Sequence, residues 1–84
     1  MRFQYYNPEA AEVHVAGSFN DWDSKSAPMV RLSDGRWLRE VKLPAGQYEY
    51  RLIVDGRWLE DVMSAQFAWN PFGDLNSVVR VGNP

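Results

Sequence analysis

Gln47-Tyr48-Glu49-Tyr50-Arg51-Leu52-Ile53-Val54-Asp55-Gly56-Arg57-Trp58-Leu59-Glu60 is the stretch on which the fold is read. From Tyr48 to Asp55 the residues alternate, with Tyr50, Leu52 and Val54 on one side and Glu49, Arg51 and Ile53 on the other. That period of two is the mark of a strand with one face turned to a core. Asp55-Gly56 then supplies the positive φ angles of a two-residue type I′ hairpin turn, and the chain returns through Arg57 to Glu60. Loop length sets the register, opposing Val54 to Arg57, Ile53 to Trp58, Leu52 to Leu59 and Arg51 to Glu60. Directly opposed residues share a face, so Trp58 belongs with Arg51 and Ile53 on the outer side of the sheet.

The same period extends along the chain in both directions. Arg2 to Tyr6 alternates with Phe3 and Tyr5 inward, and Glu12 to Ala16 with Val13 and Val15 inward; these two strands are expected to pair. Val30 to Leu32 and Arg36 to Leu43 flank Asp34-Gly35, read as another type I′ turn that sets Leu32 opposite Trp37. Val30, Leu32, Trp37, Val41 and Leu43 then share the inner face, with Leu38, Glu40 and Lys42 outside. Pro44-Ala45-Gly46 fits a type I turn leading into the central strand.

Between Asp61 and Gly73 no period is sustained. Val62, Ala65, Gln66 and Trp69 fall at helical spacing but support one or two turns at most, and Asn70-Pro71 with Gly73 reads as loop. A last strand, Ser77 to Val81, turns Val79 and Val81 inward and Val78 and Arg80 outward, with Asn76 just ahead of it on the outer side. Gly82-Asn83-Pro84 reads as the start of a linker. Short strands with frequent turn signals predict an all-β fold, an antiparallel immunoglobulin-like β-sandwich of about seven strands, spanning residues 1–84 as one domain.

Composition narrows the function. At 84 residues the chain has room for one module of modest core. The absence of cysteine removes disulfides and thiolate metal sites and favours a cytoplasmic setting. A formal net charge of -2, with cations scattered among anions, leaves no electrostatic footprint for nucleic acid or an anionic membrane. No apolar run approaches the roughly 20 residues that span a bilayer, and no basic-then-apolar leader opens the sequence. No cofactor motif is present: there is no glycine-rich phosphate loop, nucleophile elbow or calcium loop.

Enzymatic chemistry finds no foothold either. His14, the lone histidine, is placed by alternation on an outer face beside Glu12 as a solvated strand residue, with no second His or Cys to complete a metal site or a triad. The close carboxylates Asp21/Asp23 and Glu60/Asp61 sit in or beside turns, where Asp is common for capping, so they make a poor acid/base dyad.

The aromatic residues carry the functional signal. Phe3, Tyr5, Trp37, Tyr50 and Phe19 are expected in the core, whereas Trp22 lies in the turn Gly17-Ser18-Phe19-Asn20-Asp21-Trp22 and Trp58 follows Asp55-Gly56. An indole at the surface offers up to roughly 250 Å² of mostly apolar area and needs a packing partner or a flat ligand. A pyranose ring fits, with an apolar C–H face for the indole and hydroxyls for polar neighbours. Arg51, diagonal to Trp58, and Asn76, whose amide both donates and accepts, are such neighbours. Spacing alone leaves open that Trp58 caps the sandwich edge and Trp22 plugs a loop.

Val15-Ala16-Gly17-Ser18-Phe19-Asn20-Asp21-Trp22, Leu43 through Trp58, and Asn70-Pro71-Phe72-Gly73-Asp74-Leu75-Asn76-Ser77-Val78-Val79 together resemble the glycogen-binding domain of AMP-activated protein kinase β subunits, a carbohydrate-binding module of family 48. The likeness runs in order from about Phe3 to Val81. It implies a non-catalytic module for α-1,4-glucan: glycogen, starch or maltooligosaccharide. It further implies a sugar platform of Trp22 and Trp58, hydroxyl contacts from Arg51 and Asn76, and Phe72 threading against the sugar. The kinase subunits carry lysine where this chain has Arg51, and the loop ahead of Phe72, with Phe67 and Trp69, departs from their pattern. Trp69 reads equally as an added contact or a loop-packing residue. The resemblance also allows a kinase or catalytic partner domain, and an accessory sandwich that leaves the sugar face unused.

Overall fold

The computed structural model describes residues 1–82; Asn83 and Pro84, and with them most of the expected linker start, lie outside the described residues. Its strands are β1 (Arg2–Tyr6), β2 (Val13–Gly17), β3 (Val30–Arg31), β4 (Arg36–Glu40), β5 (Gly46–Val54), β6 (Arg57–Leu59), β7 (Gln66–Trp69) and β8 (Leu75–Val81). They form two antiparallel sheets, one in the order β1-β4-β3 and one in the order β2-β5-β8-β7, with β6 paired to β5. The fold is an all-β sandwich, and among the described residues no helix is long and apolar enough to cross a membrane.

The alternation of β5 explains the arrangement. Tyr50, Leu52 and Val54 join Val13 and Val15 of β2 in the core, where they meet Phe3 and Trp37 of the other sheet. The Phe3 ring lies 4.9 Å from Tyr50, edge to face, and 5.4 Å from Phe19. Trp37 is buried with its indole N–H donated to the Asn7 carbonyl at 2.8 Å. One edge of β5 carries β2; the other carries β8 along Gly46–Tyr50 and then β6 along Leu52–Val54. The register of β5 with β6 is the predicted one, and Asp55 and Gly56 take the positive φ of the turn.

The sequence expectation fails at five places. β1 does not pair with β2; it pairs with β4, and β2 with β5. The Asn7 side chain accepts from the Glu9 and Ala10 N–H groups and bends the chain out of the first sheet. The Asp55 carboxylate then receives the Ala11 and Glu12 N–H groups at 2.9 Å, fastening the crossing to the second sheet. Alternation names the inward residues but not the partner strand.

The Asp34-Gly35 hairpin has a three-residue loop, Ser33 to Gly35. Leu32 N–H donates to Arg36 O at 2.7 Å, and Gly35 alone of the pair takes a positive φ. The Asp34 carboxylate accepts from Arg36 N at 3.2 Å and pairs with its Nε at 2.8 Å, favouring the type I turn closed by a left-handed glycine. These contacts from Arg36, its backbone N–H first, hold the Asp34 carboxyl below its ordinary range. Arg31 rather than Leu32 therefore faces Trp37, and Val30 turns outward opposite Leu38 at 65% exposure.

Residues 66–69 form a strand, not a helical turn, because β8 offers them an open edge: Gln66 pairs with Val78 and Ala68 with Asn76. Four residues are too few for alternation to stand out in sequence. His14 is mostly covered rather than solvated, with 12% side-chain exposure, its Nε2 in hydrogen-bond contact with Glu12 Oε1, and an isolated backbone bridge to Pro28. Asp61, read as a turn carboxylate, is buried: it accepts from the Tyr50 hydroxyl at 2.8 Å, while its own N–H donates to Ser77 Oγ at 2.6 Å.

Candidate functional site

The outer face of the larger sheet carries the polar residues of the site. Alternation along β5 puts Glu49, Arg51 and Ile53 outward, and the hairpin register sets Trp58 beside Ile53. Tyr50 of β5 faces Ser77 inward, so the next residue back along β8, Asn76, points outward alongside them.

The Gly17–Trp22 turn is brought to this face by β5 itself. Ser18 N–H donates to the Glu49 carbonyl at 2.9 Å, and Ser18 Oγ accepts from Glu49 N at 3.2 Å. Within the turn, Asn20 Oδ1 accepts from Gly17 N at 2.9 Å, and its Nδ2 donates to Val15 O and Ser26 Oγ. Trp22 N–H returns to the Gly17 carbonyl at 3.0 Å. Asp21 and Trp22 both sit in the left-handed region, at φ 54° and 57°, which for non-glycine residues costs on the order of 1 kcal/mol each. The turn's hydrogen bonds hold this conformation, which sets the direction of the half-buried Trp22 indole.

The third contribution is the β7–β8 loop. Asn70 Oδ1 accepts from Phe72 N at 2.9 Å and from Asp74 N at 3.0 Å, folding the loop about its own side chain and leaving Phe72 90% exposed. Together the three segments enclose an open groove of about 460 Å³ lined by Trp22, Arg51, Trp58, Asn70, Pro71, Phe72 and Asn76.

All five residues singled out from sequence thus line one groove: Trp22, Arg51, Trp58, Phe72 and Asn76. Asn70 and Pro71 also line it, although their sequence reads only as loop. The signal for Asn70 was its position ahead of proline in a turn, where an Asn side chain folds the following backbone. Trp69 does not line this groove and is 74% exposed, so it is not a loop-packing residue. Register puts it with Leu75 and Phe67 on the opposite side of the sheet from Asn76.

The polar floor is partly committed. Arg51 has 14% side-chain exposure; its Nη2 donates to Trp58 O at 3.3 Å and its Nη1 lies 3.9 Å from Asp74 Oδ2, rather than pairing with Glu60. Asn76 is 5% exposed, donates from Nδ2 to Glu49 Oε1 at 3.0 Å and accepts at Oδ1 from Asn70 Nδ2 at 3.2 Å. One N–H and one lone pair of the amide stay available. Asp74 and Glu49 balance the guanidinium, so the groove offers directional donors and acceptors without the net positive field an anion would require. Aromatic walls over such a floor suit a neutral, polyhydroxylated ligand.

Comparison with known proteins points the same way. The family described as the glycogen recognition site of AMP-activated protein kinase matches residues 1–84. The chain is 33% identical over 70 residues to the β-2 subunit of 5′-AMP-activated protein kinase from Mus musculus, covering 83% of this chain and 25% of that protein. It is 33% identical over 70 residues to the β-1 subunit from Sus scrofa, covering 54% of that protein, and 34% identical to the β-1 subunit from Bos taurus, covering 24%. The chain spans about a quarter of the length of the first of these relatives.

Proposed function

This chain belongs to the family of glycogen recognition sites of AMP-activated protein kinase, and from that premise we propose that its groove is where an α-1,4-linked glucan lies. The module recognises glycogen without acting on it. In our reading successive glucoses stack on the indoles of Trp22 and Trp58, Arg51 and the free capacity of Asn76 bond the hydroxyls, and Phe72 fills the curve of the glucan helix. The observation that carries this is the convergence of all five residues, from three separate segments, on one groove.

The ligand gains little from charge and meets an open surface, so a single site binds in the micromolar to millimolar range, on the order of -4 to -8 kcal/mol. Useful retention on a polysaccharide then comes from many chain ends in reach of one site, or from neighbouring modules. The relatives are named as kinase subunits, which supports reading this module as a tether that holds a kinase partner to its carbohydrate.

The test is a titration with maltoheptaose followed by tryptophan fluorescence, with Trp22→Ala and Trp58→Ala as comparisons. Saturable quenching or enhancement that both substitutions weaken is expected. No response in the parent chain, or an undiminished response in both variants, would sink the platform reading.

A further inference from the structure

We infer that Glu49, Asn76 and Asn70 form one hydrogen-bonded relay that sets the orientation of the Asn76 amide, and that Asn70 and Glu49 are positioning residues for glucan binding. The inference rests on the groove being the glucan site.

The relay is fixed from both ends. At one end, Asn70 Oδ1 takes two backbone N–H groups, from Phe72 and Asp74. An amide rotated by half a turn would set its NH₂ against those donors, so Asn70 must direct Nδ2 toward Asn76 Oδ1, which it meets at 3.2 Å. At the other end the Glu49 carboxylate, an acceptor, takes Asn76 Nδ2 at 3.0 Å. A flipped Asn76 would set oxygen against carboxylate and nitrogen against nitrogen. The buried amide therefore has one orientation, and its unused N–H and lone pair have known directions.

The same three residues tie the two outlying walls of the groove together. Glu49 clamps Ser18 of the Trp22 turn through its backbone and Asn76 through its side chain. Asn70 clamps Asn76 through Nδ2 and the Phe72 loop through Oδ1. A shallow site gains affinity by holding its groups in place before the ligand arrives, because less freedom is lost on binding. The relay does this for Asn76 and Phe72 at once.

Asn70→Asp separates the relay from the loop. Its carboxylate still accepts from the Phe72 and Asp74 N–H groups, but it confronts Asn76 Oδ1 with a second acceptor. Glu49→Ala cuts the other end, and Glu49→Gln, whose amide oxygen can accept from Asn76, restores it. Titrations with maltoheptaose run in about 0.5 M NaCl, where added surface charge is screened. Asn70→Asp and Glu49→Ala are expected to weaken binding about tenfold, while Glu49→Gln binds as the parent does. The side-chain amide resonances of Asn76 should move in the first two variants and stay in the third, a readout that a general loss of stability would not select. If Asn70→Asp and Glu49→Ala bind as tightly as the parent, or weaken with the Asn76 resonances unmoved, the relay is overturned and the platform reading stands. If the parent itself does not bind, the platform reading falls and takes the relay's role with it.

Discussion

The Arg51 guanidinium donates to the backbone carbonyl of Trp58 at 3.3 Å, so the cation and the indole beside it are positioned by a single hairpin. Arg51→Ala should therefore weaken maltoheptaose binding by about tenfold or more, the scale of one hydrogen bond from a charged donor. Arg51→Lys keeps the charge but loses the planar fork, and should fall between the two. Isothermal titration of the three proteins checks the order.

Phe72 is 90% exposed and Trp58 40%, so binding separates from stability at Phe72 but only partly at Trp58. Phe72→Ala should lower glucan affinity while changing unfolding free energy by no more than about 0.5 kcal/mol, as surface substitutions do, whereas Trp58→Ala should lower affinity and also cost about 1–3 kcal/mol of stability through lost burial. Urea denaturation beside sugar titration tests this; a large stability loss with unchanged affinity would reassign both side chains to packing.

Two glycines fail for different reasons when a methyl group is added. At Gly17 a Cβ would lie 2.5 Å from the Glu49 carbonyl oxygen and 2.6 Å from the Phe19 ring, with the carbonyl held in the central strand. Gly17→Ala should cost about 1–3 kcal/mol and loosen the turn that carries Trp22, lowering sugar affinity as well. Gly56 has open space around it but φ 85°, so Gly56→Ala should cost about 1–2 kcal/mol by backbone strain alone. Denaturant midpoints and sugar titrations on both variants separate the two effects.

Burial, then the hydrogen bond and charge of Asp61, push the Tyr50 hydroxyl well above its ordinary value. The neutral phenol is thus favoured more in the folded chain than in the unfolded one. Stability from this contact is full below the unfolded tyrosine pKa of about 10 and is lost as pH rises above it, when the unfolded state ionises first. Tyr50→Phe should be less stable at neutral pH by about 1.5–3 kcal/mol, yet should lose less stability between neutral and strongly alkaline pH. Equilibrium unfolding across that range tests the sign; parallel slopes for both proteins would refute it.

How far sequence reached depended on whether a feature was local. The β5–β6 register was legible because two turn residues determine it, and with it the outward placement of Arg51, Ile53 and Trp58. The β3–β4 register slipped by one because the Asp34 carboxylate, by capping Arg36, selects a longer loop that the dipeptide alone does not announce. The pairing of β1 with β4 was not legible, since Phe3 and Val13 face the same core whichever strand lies beside them. Turn position and register singled out Trp22, Trp58, Arg51 and Asn76, and the resemblance added Phe72, but neither revealed that Asn76 is buried and held by Glu49 and Asn70.

The order in which the strands find partners also governs how the chain is made. β1 waits for β4 and can gain its ladder only once the chain has been synthesised through Glu40, and β2 waits for β5 and the chain through Val54. Loop closure must precede the contacts that reward it, which slows folding. A nascent chain halted before β5 leaves the ribosome with β2 unpaired, and a truncation there yields a fragment for proteases rather than half a binding site.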